Sequence, residues 1–403
     1  MLNIETELHR CNRCGRCMSD CPVYLEETQE SMTARGRLSL VEAYIQGKIC
    51  LTHRFKHILS KCLLCGACSD ACVAGVSVHE IIQWARTEIT RKQKIRPLKQ
   101  LLLQKFLEQD TFISQLLRQG LRINRQLHHL SKMPCPPKTT FMDNTSSFIP
   151  ESQGGLRVGY FVGCIANHFF PHIGQATIHI LKDGGCTIYV PRGQGCCGLP
   201  FFNAGDLGKA CSLAMRNMDA MLKQDVDYVI VSCAACSSYL KDYKKLFGSD
   251  PKAQAFSSKV RDISEFLANE LSYARRLKDK PFPAEAQTLR VTYHDPCHLK
   301  KRQKIFEEPR NLIQAIQGID FVEMNAPDRC CGHGGSFHLE HYKLSLGILK
   351  HKMDDIKETG AQVVVTGCMG CLLQLKEGVN SEGLNTKVLH IAQLIDQYKG
   401  EPS

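Results

Sequence analysis

Apolar positions in this chain change period along its length, and the changes mark where its parts begin. Ile81, Ile82, Ala85 and Ile89 recur at helical spacing behind Ser77-Val78-His79-Glu80, which has the form of a capping box. Leu101, Leu102, Phe106, Phe112, Leu116, Leu117, Leu121 and Leu127 predict a further, mostly helical connector. Pro134, Pro136, Pro137 and Pro150 interrupt the period, and Ser131 to Gly155, rich in Pro, Ser and Thr, reads as a linker. Beyond it, short apolar runs alternate with amphipathic stretches. Val158–Val162, Thr187–Val190 and Val226–Val231 predict strands, with helices from about Pro171 to Leu181 and from about Leu207 to Lys223 between them. Val291–Tyr293, Asp320–Glu323 and Gln362–Val365 repeat the series. Such alternation implies parallel strands.

The repetition is an internal duplication. Leu156-Arg157-Val158 opens one copy and Leu289-Arg290-Val291 the next. Cysteines recur in order, Cys164, Cys196-Cys197-Gly198 and Cys233-x2-Cys236 against Cys297, Cys330-Cys331-Gly332 and Cys368-x2-Cys371, at offsets of 133 to 135 residues. Every group follows a predicted strand, and ligand sites in parallel sheets form at the carboxyl ends of strands. The chain therefore divides into residues 1–92, a connector and linker over 93–155, and repeats over 156–288 and 289–403. The expected fold is α+β or α/β, a mostly helical first part followed by two parallel-sheet repeats.

Composition narrows the chemistry. A chain of 403 residues with 22 Cys is too long for a small disulfide scaffold, and polar Met1 to Arg10 carry no secretory signal. Thiols in that setting point to a reducing cytoplasm and metal ligation. No apolar run approaches the length that spans a bilayer. A formal net charge of +11 is concentrated between Arg86 and Lys105, where Arg91, Lys92, Lys94, Arg96 and Lys99 also lie. Only Trp84 and Phe106 supply aromatics nearby, which argues against nucleic acid. The stretch suits a solvated helix face, an acidic partner or peripheral attachment to the inner face of the cytoplasmic membrane.

The first 72 residues hold Cys11-x2-Cys14-x2-Cys17-x3-Cys21-Pro22 and Cys62-x2-Cys65-x2-Cys68-x3-Cys72-Val73. Two-cluster bacterial ferredoxins use this run, the fourth Cys of each ligating the other cluster. Three closely spaced thiolates wrap one cubane face and the fourth turns away. The crossed sets are Cys11, Cys14, Cys17 and Cys72 for one [4Fe–4S] cluster, and Cys62, Cys65, Cys68 and Cys21 for the second. Structural zinc needs no third regularly spaced Cys and fits the runs poorly. Each cluster with its thiolates carries about −2, so two remove about 4 units of the positive charge.

The repeats offer Cys164, Cys196, Cys197, Cys233 and Cys236, then Cys297, Cys330, Cys331, Cys368 and Cys371. Five thiols exceed what one cubane or one zinc requires, so one Cys is spare or the cluster has an unusual shape. An iron–sulfur centre is favoured over zinc or a redox dithiol. Cys50, Cys135, Cys186 and Cys211 remain and read as small hydrophobes. Gly193-x-Gly195-x-x-Gly198 matches a dinucleotide fingerprint, but its variable positions are Cys196 and Cys197, and the second copy lacks the glycines. His294, His298, His333, His338 and His341 gather around the second CCG; His298 and His333 are the two singled out for a proton relay or a spare ligand.

Two ferredoxin runs followed by two CCG repeats resemble the iron–sulfur subunit of glycolate oxidase and its relatives. Those include the third subunit of anaerobic glycerol-3-phosphate dehydrogenase, lactate-utilisation iron–sulfur proteins and the CCG subunit of heterodisulfide reductase. Arg35-Gly36-Arg37, Gly75-Val76 and Val388-Leu389-His390-Ile391 add to the likeness, and Val73 departs from it where Pro is usual. The resemblance implies an FAD-containing 2-hydroxy-acid dehydrogenase as partner, with electrons passed singly toward a quinone. Hydride chemistry would then occur outside this chain. It also implies a rival, a CCG cluster that cleaves a disulfide, and a third reading makes the repeats zinc-stabilised scaffolds.

Overall fold

A computed structural model describes residues 3–92, 136–150, 155–280 and 287–398. The helical connector expected over Leu101 to Leu127, most of the basic run and Cys135 lie outside the described residues.

The first part is helical. Asn3, Thr33 and Thr52 cap helices Ile4–His9, Ala34–Ile45 and His53–Ser60 by accepting from Thr6, Gly36 and Phe55 amides. Helix Val78–Lys92 begins where the capping box predicted, but the Ser77 amide donates to Glu7 Oε2 at 3.0 Å rather than to Glu80. Glu80 instead reaches Lys245 of the first repeat at 3.3 Å. Leu59, Ile81 and Ile82 are fully buried, each contributing roughly 1.5–3 kcal/mol.

Both cysteine runs adopt one loop. Arg13 and Leu64 stand at φ 52°, and Gly15 and Gly66 follow two positions later at +83° and +79°. Left-handed backbone costs a non-glycine residue about 1–2 kcal/mol, and such strain persists where neighbouring structure demands it. Val73 is exposed, and the turn after Cys72 closes without Pro through Gly75 N donating to Cys72 O at 3.0 Å.

The repeats form two sheets. The first contains β1 (Phe148–Ile149), β2 (Arg157–Phe161), β3 (Thr187–Tyr189), β4 (Tyr228–Val231) and β5 (Val260–Asp262), ordered β1-β3-β2-β4-β5. The second contains β6 (Leu289–His294), β7 (Ile319–Phe321), β8 (Val363–Thr366) and β9 (Lys387–His390), ordered β7-β6-β8-β9. All pairings are parallel except β1 on β3. The three strands expected per repeat are present, and β5 and β9 add a fourth to each. Their runs, three and four residues long, gave little signal. β1 is an antiparallel edge inside the expected linker.

Because the chain leaves β2 for β3 on one side and reaches β4 on the other, a crevice opens at the carboxyl ends of β2 and β4. β6 and β8 repeat that arrangement. The two sheets share one apolar core, running from Tyr160 and Phe161 to Tyr293 and Leu299. Ala234 N donates to Gly367 O at 3.0 Å, tying the crevices together. The helical first part lies against both repeats. Arg86 Nη1 donates to Asn203 O at 3.0 Å, Thr90 to Ala204 O at 2.8 Å, and Arg302 to Leu64 O at 2.9 Å. The approach is close at Gly205 (φ +83°), where a Cβ would stand 2.4 Å from the Arg86 carbonyl oxygen.

Candidate metal centres

Cys21, Cys62, Cys65 and Cys68 line one small cavity, together with Arg37. Arg37 is 2% exposed and approaches Cys21 Sγ at 4.0 Å. Burial pushes the Cys65 thiol up to about 12, with Cys297, Cys62 and Cys21 adding repulsion. Cys68 is raised by burial and then by Cys65, Cys62, Cys21 and Cys17. Two buried and two half-buried thiols around one small cavity, with a buried cation beside them, fit a multivalent cationic centre. Cys11, Cys17 and Cys72 are half-buried and Cys14 is exposed, so the other set lies at the surface.

In the repeats, strand ends place the thiols. Cys164 opens the helix after β2, and Cys233 caps Ala234–Lys241 after β4 with Cys236 in its first turn. Cys297 and Cys368 hold the same positions after β6 and β8. The first CCG loop is anchored by Gln194, which accepts from Val162 N at 2.7 Å and donates to Tyr160 O at 2.9 Å. Asn217 Nδ2 donates to Cys196 O at 2.9 Å. Gly332 requires its missing side chain, since a Cβ would stand 2.5 Å from Ser345 O.

The thiols lie in one series of neighbours. Cys196 is held below the ordinary thiol range by donation from Cys164 and Cys197. Cys197 meets Cys236, and Cys236 meets Cys233. Cys233 then meets Cys368 of the other repeat, which is held low by Cys233 and Cys371. Cys331 ends the series, held low by Cys371 and then by His294. Cys297 and Cys330 face the first part of the molecule instead: Cys65 adds to the upward shift of Cys330, and Cys297 to that of Cys65. Cys21, Cys65, Cys297 and Cys330 pack in one apolar cluster with Phe337. A cavity of about 260 Å³ is bounded by thiols of both repeats and by Cys65. Two sites expected to be separate thus open onto one space.

The histidines sort differently from expectation. His298 Nδ1 lies 3.4 Å from Cys297 Sγ, and burial holds the ring neutral, its pKa down to about 3. His333 accepts from Gly335 N at 3.1 Å and stacks on His338, while His341 bonds Ser60 at 3.0 Å. It is His294, not singled out for test, that joins Cys331 and Cys371, with all three ligating atoms within 4.8 Å of one another. Cys186 is core and Cys211 half-buried, whereas Cys50 is exposed, so packing does not account for Cys50. The Gly195 position lies against the Arg216 guanidinium, which crowds the loop that matched the dinucleotide fingerprint.

A family model described as a 4Fe-4S dicluster domain matches residues 7–76, and one described as a cysteine-rich domain, CCG, matches residues 158–241 and 291–376. The chain is an iron–sulfur protein built of a dicluster domain and two cysteine-rich domains. It is similar to a probable glycolate oxidase iron-sulfur subunit of Bacillus subtilis, 34% identical over 98% of this chain and 95% of the relative. A fumarate reductase (CoM/CoB) subunit of Methanothermobacter marburgensis is 30% identical over 97% of this chain and 72% of the relative. Lactate utilization protein A of Oceanobacillus iheyensis is 32% identical over 60% of this chain and 98% of the relative. The chain belongs to the family of glycolate oxidase iron–sulfur subunits and their CCG-domain relatives, and is an iron–sulfur subunit of an oxidoreductase. Among the described residues, no helix is long and apolar enough to cross a membrane.

Proposed function

We propose that this chain is the electron-transfer subunit of a 2-hydroxy-acid oxidoreductase of the glycolate or lactate type, receiving electrons from an FAD-containing dehydrogenase and delivering them toward a quinone. Cys11, Cys14, Cys17 and Cys72 hold one [4Fe–4S] cluster, and Cys62, Cys65, Cys68 and Cys21 the second. The ten cysteines of the repeats hold further iron. Bound there, such clusters supply one-electron transfer. The observation that carries this reading is a series of neighbouring thiols, from half-buried Cys17 through Cys68 and Cys65 to Cys297 and Cys330, then across Cys368 and Cys233 to Cys164. Protein groups along it exclude water, and the buried guanidinium of Arg37 offsets thiolate charge.

Cys14→Ser tests the conduit in the reconstituted complex. Flavin reduction by substrate is expected to continue while dye or quinone reduction stops; an unchanged quinone rate sinks the assignment. A second reading is favoured by the shared cavity, since thiols of both repeats there could meet the two halves of a disulfide. Disulfide-dependent reoxidation of the isolated, reduced chain supports it, and its absence leaves the relay. Anaerobic counting of iron, sulfide and zinc separates both from a zinc scaffold: about 8 irons fill only the dicluster domain.

A further inference from the structure

The two repeats share a fold and five cysteines each, yet their sites are not copies. Three residues before the first cysteine of each site, at the end of the leading strand, β2 carries Phe161 and β6 carries His294. Both side chains are buried, at 0% and 1% exposure. Phe161 belongs to the apolar core. His294 points instead toward sulfur, grouped with Cys331 and Cys371 within 4.8 Å, and borders the cavity between the repeats. Its Nδ1 is buried with no hydrogen-bond partner. An imidazole nitrogen left unsatisfied in a protein interior is unfavourable unless something accepts from it or uses it.

Neighbouring structure fixes the ring where it stands. His294 pairs with Thr366 in the β6–β8 register, two residues before Cys368. The next residue, Asp295, is held by Arg310 Nη1 and Nη2 at 2.9 and 2.8 Å, and its amide donates to Pro327 O at 3.0 Å, just ahead of the second CCG. The strand end therefore cannot swing the imidazole away from the thiols without breaking a buried ion pair. An imidazole and two thiols converging on one point form a mixed nitrogen–sulfur donor set, which suits iron and zinc alike.

We propose that His294 is a nitrogen donor to the metal of the second CCG site, so that the two CCG sites bind their metals with different ligands. The inference rests on the reading that the repeats hold metal. It assigns all-sulfur ligation to Cys164, Cys196, Cys197, Cys233 and Cys236, and nitrogen-containing ligation to the site that faces Cys65. Nitrogen in place of sulfur raises the potential of an iron–sulfur centre, so the site nearer the dicluster domain becomes the easier of the two to reduce.

The test uses the full chain labelled with 15N-histidine, purified anaerobically, with metal counted per chain. Pulsed EPR of the CCG signal, or zinc-edge absorption where zinc is the metal, reads nitrogen directly. The expected result is a 15N coupling, or a nitrogen shell at about 2.0–2.1 Å, in the parent and its loss in His294→Phe, the residue of the first repeat. His294→Gln serves as a second variant with a similar volume. Absence of nitrogen in the parent, or its persistence in a variant that keeps the parental metal count, overturns the inference while leaving the metal reading intact. No metal beyond the dicluster domain overturns both, and the count distinguishes that outcome from the former.

Discussion

Arg86 links the dicluster domain to the first repeat, and removing it gives a sharp expectation. From helix Val78–Lys92 its guanidinium reaches the carbonyl oxygens of Leu59, Ser60, Cys62 and Asn203 at 2.6 to 3.2 Å. Leu59 and Ser60 close helix His53–Ser60, whose last carbonyls have no partner within the helix, and Cys62 opens the second cysteine run. One side chain thus caps a helix, fixes a proposed ligand and ties two domains. In Arg86→Met the stem volume remains and the fork is lost. The Leu59 carbonyl keeps the Cys62 amide at 3.2 Å, so the acceptors stranded are those of Ser60, Cys62 and Asn203, each at about 1–3 kcal/mol where water does not replace the fork; a total of roughly 3–5 kcal/mol follows. At an unfolding entropy of about 2.1 cal/mol/K per residue, a chain this size melts roughly 5 °C lower. Arg86→Lys keeps the charge but not the fork, and falls between. Anaerobic thermal melting read beside iron content is the assay, with irons lost first from the Cys62 run. A melting point within about 1 °C of the parent, with iron undiminished, refutes the reasoning.

Two further expectations concern buried charge. The Asp295 carboxylate is fully buried against Arg310, so Arg310→Met should cost about 3–5 kcal/mol in urea unfolding, and adding Asp295→Asn should recover part of that loss in a double-mutant cycle. Burial lifts the Asp262 carboxyl to about 7; the folded state binds that proton more tightly than the unfolded chain, so its stability contribution is present at low pH and fades as pH rises through 7. Asp262→Asn should therefore gain on the parent progressively between about pH 4 and 7 and level off above, by at most roughly 4 kcal/mol in all, and a gap independent of pH in parallel melts disproves it.

The cysteine runs were legible because cluster ligation is a local constraint: spacings of two and three residues follow from wrapping one cubane face. The three leading strands of each repeat were legible for a similar reason, as apolar runs bounded by turns. β5 and β9 were not, since Val260–Asp262 and Lys387–His390 are too short to carry a period and their pairing with β4 and β8 decides them. Nor does spacing reveal that Cys65 meets Cys297 and Cys330, or that Cys233 meets Cys368. Those contacts join residues more than a hundred positions apart, and only the packing of one domain on another creates them. Arg86 shows the same limit: it reads as one more cation in a basic stretch, whereas its four carbonyl partners come from two segments far from it in sequence.

Duplication explains why two sites exist, and the departures from it explain how they can differ. The shared strand order places ten thiols beyond six strand ends, and the Ala234–Gly367 hydrogen bond draws the two repeats together around one cavity. Symmetry stops at the edges. Only the second site touches Cys65, and only the second has an imidazole where the first has Phe161. Both departures fall on the repeat that faces the dicluster domain. A pair of identical sites would give an electron no preferred order of travel; unequal ligands and unequal distance from Cys65 impose one. Because the two causes act on the same repeat, they separate experimentally. Substituting His294 changes the ligand without altering the contact of Cys65 with Cys330, whereas Arg86→Met loosens the domain junction without changing any donor of the CCG sites.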